Sequence, residues 1–149
     1  PDTDGKASGS LPVNFSETAP QGSYTINVTV EEPGNTYTPV SIGVTVDTLT
    51  PKLLNFAPAQ GAYVKGTVRV RFDLLEQFMK TWRVTVNNAD IPNNSGTTET
   101  SLSVDWNSTT LERDGTQTIQ LAARDQADNA FNFSINCTVD RLQPSSSID

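Results

Sequence analysis

The sequence predicts an all-β chain arranged as an antiparallel β-sandwich. Three observations carry this. Apolar and polar side chains alternate with a period of two through four separate runs, and turn-forming clusters divide those runs. No stretch of ten or more residues holds a convincing 3.6-residue apolar period.

The elements follow in order. "TVRVRFDL" (67–74) places Val68, Val70, Phe72 and Leu74 on one face, with Arg69, Arg71 and Asp73 on the other. "TWRVTVN" (81–87) sets Trp82, Val84 and Val86 against Thr81, Arg83, Thr85 and Asn87. Leu102, Val104 and Trp106 share a phase, "TIQLAA" (118–123) turns Ile119, Leu121 and Ala123 inward, and "FNFSINCTVD" (131–140) turns in Phe131, Phe133, Ile135, Cys137 and Val139. Strict alternation of this kind marks strands with one buried face. "APAQGAYVKG", "NNADIPNNSG" and "NSTTLERDG" read as turn-rich connections. A short helical turn fits only at "DLLEQFMKTW".

Composition narrows the function classes. The 149 residues give room for one ordinary domain, or one domain and part of another. A net charge of −7 and a pI near 4.4 argue against nucleic acid or an anionic membrane as the main partner. No apolar run is long enough to span a bilayer, so this segment is expected to insert in no membrane. The chain opens at Pro1 with no signal-peptide pattern, as a processed chain or an excised fragment would. It has no histidine, which removes Ser and Cys triads and most zinc and haem sites. One thiol, Cys137, cannot close an internal disulfide, so cysteine usage leaves the redox compartment open. A glycosidase would need two carboxylates about 5–9.5 Å apart across a cleft, and nothing in the sequence marks such a pair. No catalytic residue and no enzymatic activity are expected.

An internal repeat organises the chain. Residues 22–51 align without a gap on residues 115–144, at an offset of 93 and with ten identities. These are Gly22/Gly115, Thr25/Thr118, Ile26/Ile119, Ser41/Ser134, Ile42/Ile135, Thr45/Thr138, Val46/Val139, Asp47/Asp140, Leu49/Leu142 and Pro51/Pro144. The same offset brings Asn14 onto Asn107. A period this long is a whole small domain rather than a solenoid turn. Residues 51–143 then form one complete unit, residues 1–50 the C-terminal half of another, and residues 144–149 the start of a following unit or a linker. A few strands alone cannot bury both faces of a sandwich. The half unit is therefore expected to be completed either by preceding strands of a longer array or by strands donated from another chain.

Residues 53–140 resemble bacterial and archaeal immunoglobulin-like surface repeats. The resemblance rests on "GAYVKG", "TVRVRF" and "WRVTVNN", then "VDWNSTTLERDGTQTIQLAARDQADNA" and a closing "CTVD", with "VTVD" earlier. Its most specific part comprises Trp106, Asn107, Thr109, Asp114, Gly115, Thr118, Ala123, Asp125, Ala127 and Asn129. Asp128 stands where such repeats usually carry Gly, which asks Asp128 or Asn129 to take a tight-turn conformation that Asp and Asn tolerate. The resemblance implies an immunoglobulin-like antiparallel β-sandwich, one complete unit preceded by the C-terminal half of another, and an extracellular, cell-surface location. It implies little about function, since such repeats accompany adhesins, surface-layer proteins, fibres and secreted hydrolases.

Three sets of residues are candidate sites. Asp125 and Asp128 in the last hairpin, with Asp47 and Asp140 before the inter-unit prolines, are the places for a loop or junctional Ca²⁺, which needs several converging oxygens. Against that, Asp and Asn serve as turn residues, and the first repeat has Glu32-Pro33-Gly34-Asn35 at the equivalent turn, one acid instead of two. Apart from Ca²⁺, no cofactor is implied. Six N-glycosylation sequons occur, at Asn14, Asn27, Asn93, Asn107, Asn132 and Asn136, each on an outward phase or in a turn. A Thr-, Ser- and Asn-rich outer face also generates sequons by composition alone. Trp82 and Trp106 could stack on sugars, but both are in phase with core residues.

The expected role is that of a non-catalytic extracellular structural repeat: a stalk, sheath, filament or surface-layer element of tandem units. Its partners would be neighbouring units of the same or another copy. Short linkers, "DTLTP" and "DRLQP", would keep such an array stiff. The alternative is an adhesin or carbohydrate-binding accessory module of a secreted protein, which predicts an exposed aromatic strip.

Overall fold

The computed structural model describes residues 10–16 and 19–142. The expected opening of a following unit at 144–149 lies outside the described residues. The chain divides into two compact units, the first ending at Thr48 and the second beginning at Leu49.

The first unit is built on a two-stranded antiparallel sheet of β1 (Gly22–Val28) and β4 (Val40–Val46). Between them the short strands β2 (Glu31–Glu32) and β3 (Asn35–Thr36) form a hairpin tip whose turn uses Gly34 at φ +86°. Phe15 lies against Tyr24, with ring centroids 5.6 Å apart, and the Tyr24 hydroxyl donates to the Pro20 carbonyl at 2.6 Å. The strands alternate as their sequence predicts, yet the apolar face is open over much of its length: Val28, Val40 and Ile42 are 45%, 60% and 50% exposed, while Val44 is half-buried and Val46 buried.

The second unit is a complete sandwich. Its strands are β5 (Lys52–Ala57), β6 (Tyr63–Val64), β7 (Thr67–Leu75), β8 (Met79–Val86), β9 (Ala89–Gly96), β10 (Ser101–Asn107), β11 (Gly115–Asp125) and β12 (Ala130–Val139). One sheet runs β10-β7-β5, the other β6-β12-β11-β8-β9. All pairings are antiparallel except that of β6 with β12. With the strands of the two sheets interleaved in sequence, this is the immunoglobulin arrangement, including a buried tryptophan, Trp82, on the third long strand β8. Phe72, Leu102, Ile119, Leu121, Ile135, Val70, Val84 and Cys137 fill the interior from both sheets. Phe131 and Phe133, expected in the core, are only half-buried and pack at its margin, where Phe133 meets Phe56 and Phe72. Cys137 is a free, buried thiol whose pKa burial raises, so it serves as a small apolar side chain.

Turn chemistry fixes the connections. Asn87 and Asn88 both take positive φ (51° and 64°) between β8 and β9, as a two-residue hairpin turn requires. Asn107 caps a 3₁₀ turn (Ser108–Thr110), its side-chain oxygen accepting from the Thr109 N–H at 3.0 Å. Where a helical turn was compatible with "DLLEQFMKTW", the chain instead makes a bend at 77–78, because β7 and β8 belong to different sheets and must be joined by a corner. At the unit's edge β6 runs beside β12. Gly61 N–H donates to Asn136 O (2.7 Å), Thr138 N–H to Ala62 O (2.8 Å) and Asp140 N–H to Val64 O (3.1 Å).

Candidate functional surfaces

The repeat is reproduced in backbone pairing. All seven pairs of the β1–β4 ladder, from Gly22↔Val46 to Val28↔Val40, map at the offset of 93 onto the β11–β12 ladder from Gly115↔Val139 to Leu121↔Phe133. Gly22 and Gly115 open their strands at the same unusual φ, +142° and +128°. What differs is burial. Ile119, Leu121 and Ile135 are 0%, 1% and 2% exposed, while their counterparts Ile26, Val28 and Ile42 are partly or largely in water.

In the last hairpin the two aspartates act separately. Asp125 is fully buried; its Oδ1 accepts from the N–H groups of Ala127 (2.8 Å) and Asn129 (2.9 Å), and its Oδ2 from Asn129 Nδ2 (2.8 Å). Those bonds close the turn that the sequence pattern marks. Asp128 is the residue that takes positive φ (66°), and its exposed carboxylate pairs with Lys80 Nζ at 2.7 Å. The hydrogen bond and charge of Lys80 hold the Asp128 carboxyl below its ordinary range. Sequence alone put these residues in one turn but gave no sign that one is buried and the other in solvent.

Other acids are likewise engaged. Arg83 holds Asp90 with two nitrogens, and Asp90 also accepts from Asn94, which together lower its pKa. Arg69 grips Asp105 in the same forked way. Asp73 is lowered first by the Ser101 hydroxyl (2.7 Å), then by Arg71. Asp114 receives the Arg141 backbone N–H (2.8 Å) and its guanidinium, and its pKa falls accordingly. Arg141 also donates to the Leu111 carbonyl at 3.0 Å, which ties the end of β12 to the corner before β11. This buckle was invisible in sequence, because its ends lie 27 residues apart with no pattern linking them.

All six sequon asparagines are exposed. Asn27, Asn132 and Asn136 stand on outer strand faces, Asn14 lies in the segment before β1, and Asn93 sits at positive φ (53°) on β9. Asn27 Oδ1 accepts from Ser41 Oγ (2.7 Å), Asn136 Oδ1 from Thr118 Oγ1 (2.9 Å), and Asn107 serves as the cap described above. Trp82 and Trp106 are 8% and 3% exposed, so neither forms a sugar-stacking platform. Trp82 Nε1 instead donates to Glu99 Oε2 at 3.1 Å, and Gly96 lies against the indole. A shallow groove of about 730 Å³ crosses the outer face of the five-stranded sheet, lined by Arg83, Thr85, Asn88, Gln120, Asn132 and Ser134.

No protein-family model matches the chain, and no curated protein sequence matches it. Among solved structures it is similar to the endo-β-1,4-mannanase of Thermotoga petrophila, at 20% identity and a TM-score of 0.48 over 62% of this chain. The chain spans 20% of that enzyme's length. It is also similar to CopC of Methylosinus trichosporium OB3b, at 12% identity and a TM-score of 0.40, over 64% of this chain and 99% of that one. Neither likeness is close enough to bear on function.

Proposed function

We propose that the chain belongs with the bacterial and archaeal immunoglobulin-like surface repeats and acts as a non-catalytic extracellular structural element: a stalk, sheath, filament or surface-layer component of tandem sandwiches. The observation that carries this is the pair-for-pair duplication of a seven-pair ladder at an offset of 93 residues. A duplicated domain-sized period is what a spacer built by repetition requires. The engagement of Asp73, Asp90, Asp105, Asp114 and Asp128 with neighbouring cations and hydroxyls supports a structural use of the carboxylates. The exposed sequons suit a glycosylated exterior that opposes non-specific association. Electron microscopy and intact mass of the natively isolated protein test the reading together. A rod of sandwich-sized beads carrying glycan mass is expected; a compact single particle of unmodified mass would sink it.

The groove that holds Arg83, Gln120, Asn132 and Ser134 favours one second reading, a carbohydrate-binding accessory module, since amides and guanidinium suit vicinal hydroxyls. A glycan-array screen that gives a saturable hit abolished by Gln120→Ala would move the assignment there.

A further inference from the structure

We infer that the inner face of the β1–β4 pair is a docking surface for the first half of another repeat of this kind. A sheet equivalent to β10-β7-β5 would lie over the face, and a strand equivalent to β8 would run along β1. The inference rests on the tandem-repeat reading and names the partner of its open half.

The same residue types in the same register supply the argument. In the second unit Ile119 pairs with Val86 and Leu121 with Val84 across the β11–β8 ladder, beneath a sheet presenting Val68, Val70, Phe72, Leu102 and Val104. Their mates Ile26 and Val28 have the ladder to β4 on one side and, among the described residues, no strand on the other. Likewise β12 has β6 on its far side at Thr138 and Val139, whereas among the described residues β4 has no strand paired at Thr45 and Val46 in that place, although Val46 itself is buried. An open strand edge beside an apolar face is the geometry that strand addition uses. A second copy does not answer the need. Each copy brings two pairs of the β1–β4 kind and one covering half, and that half is already seated on β11 and β12. Adding copies only adds open faces. The partner that fits is a half-repeat alone, apolar on its inner face and ending just ahead of Asn14, whose mate Asn107 closes β10.

The test compares the 149-residue chain with an extended chain in which a copy of residues 51–106 is joined ahead of Asn14. Amide exchange at Ile26, Val28 and Ile42 is expected to slow at least 100-fold in the extended chain, while Ile135 stays protected in both. Ile42→Asp in the extended chain should restore fast exchange at the first-unit positions alone. A folded extended chain with unchanged exchange there overturns the inference. Independently of the extended chain, the 149-residue protein should sediment as a monomer and bind an apolar dye such as anilinonaphthalene sulfonate. A dimer with Ile26 and Ile42 protected, or a monomer that binds no dye, overturns it as well. The array reading fails separately: a native rod whose extended fragment stays unprotected keeps the array and removes the docking surface.

Discussion

Ile42 and Ile135 occupy one position of the repeat, and the consequences of shortening them should be far apart. Ile→Ala removes three carbons. At Ile135, 2% exposed between two sheets, the loss is about 0.8 kcal/mol per carbon plus a cavity term, or ~3 kcal/mol in all. At Ile42, 50% exposed on a two-stranded sheet, no closed cavity forms, and only part of the transfer term, about 1 kcal/mol, is lost from the first unit. The chain offers a selective reporter: its two tryptophans, Trp82 and Trp106, are both buried in the second unit. Urea unfolding followed by tryptophan fluorescence therefore reads that unit alone. With a slope of about 1.5 kcal/mol per molar, Ile135→Ala should lower the midpoint by roughly 2 M. Ile42→Ala should leave it within about 0.2 M of the parent. Equal shifts would mean that the second unit depends on Ile42 as it does on Ile135, and would refute the placing of Ile42 outside that unit's core. A shift below about 0.5 M for Ile135→Ala would refute its place in a packed core.

Three further outcomes are expected. A Cβ at Gly96 would come within 2.8 Å of the Trp82 ring, so Gly96→Val should change tryptophan emission and cost about 1–3 kcal/mol in thermal unfolding. Asp125→Ala leaves the N–H groups of Ala127 and Asn129 without their acceptor and should cost roughly 3 kcal/mol, whereas Asp128→Ala, at an exposed ion pair, should leave the calorimetric melting temperature nearly unchanged. The pKa values of Asp73, Asp90, Asp105, Asp114, Asp128 and Glu99 are all lowered in the fold, so their contribution is full above the unfolded carboxyl values, near 4. It is lost as pH falls through the folded values, and a melting temperature that declined from pH 7 to pH 5 would contradict this.

The parts of the fold that sequence revealed are those where one face is buried and the other wet. The alternation of β7, β8, β11 and β12 followed directly from that asymmetry, and so did the inward phase of both tryptophans. β9 escaped notice, because "ADIPNNSG" is an edge strand with one apolar anchor, Ile91, a proline, and Asn93 at positive φ. An edge has no second neighbour to impose a period. β5 and β6 were hidden for a similar reason, being short and at sheet margins. Of the candidate sites, the turn at Asp125 to Asn129 and the strain at Asp128 were legible from residue type. The burial of Asp125 was not, because it depends on how the hairpin sits against a distant strand, where Asp125 pairs with Met79 and Gln126 donates to the Met79 carbonyl.

The parallel run of β6 beside β12 gives the second unit a particular answer to tension. The unit's second strand, β6, lies there beside its last, β12, and points the same way, joined by backbone hydrogen bonds that include those from Gly61, Thr138 and Asp140. Once β5 has been drawn off β7, a pull on the two ends of the unit slides β6 and β12 past each other, so the bonds are loaded at once rather than peeled one after another. The Arg141 buckle to Asp114 and Leu111 lies just beyond the last of them. Force arriving from the C-terminal side meets that anchor first, then the shear patch, and only then the apolar interior.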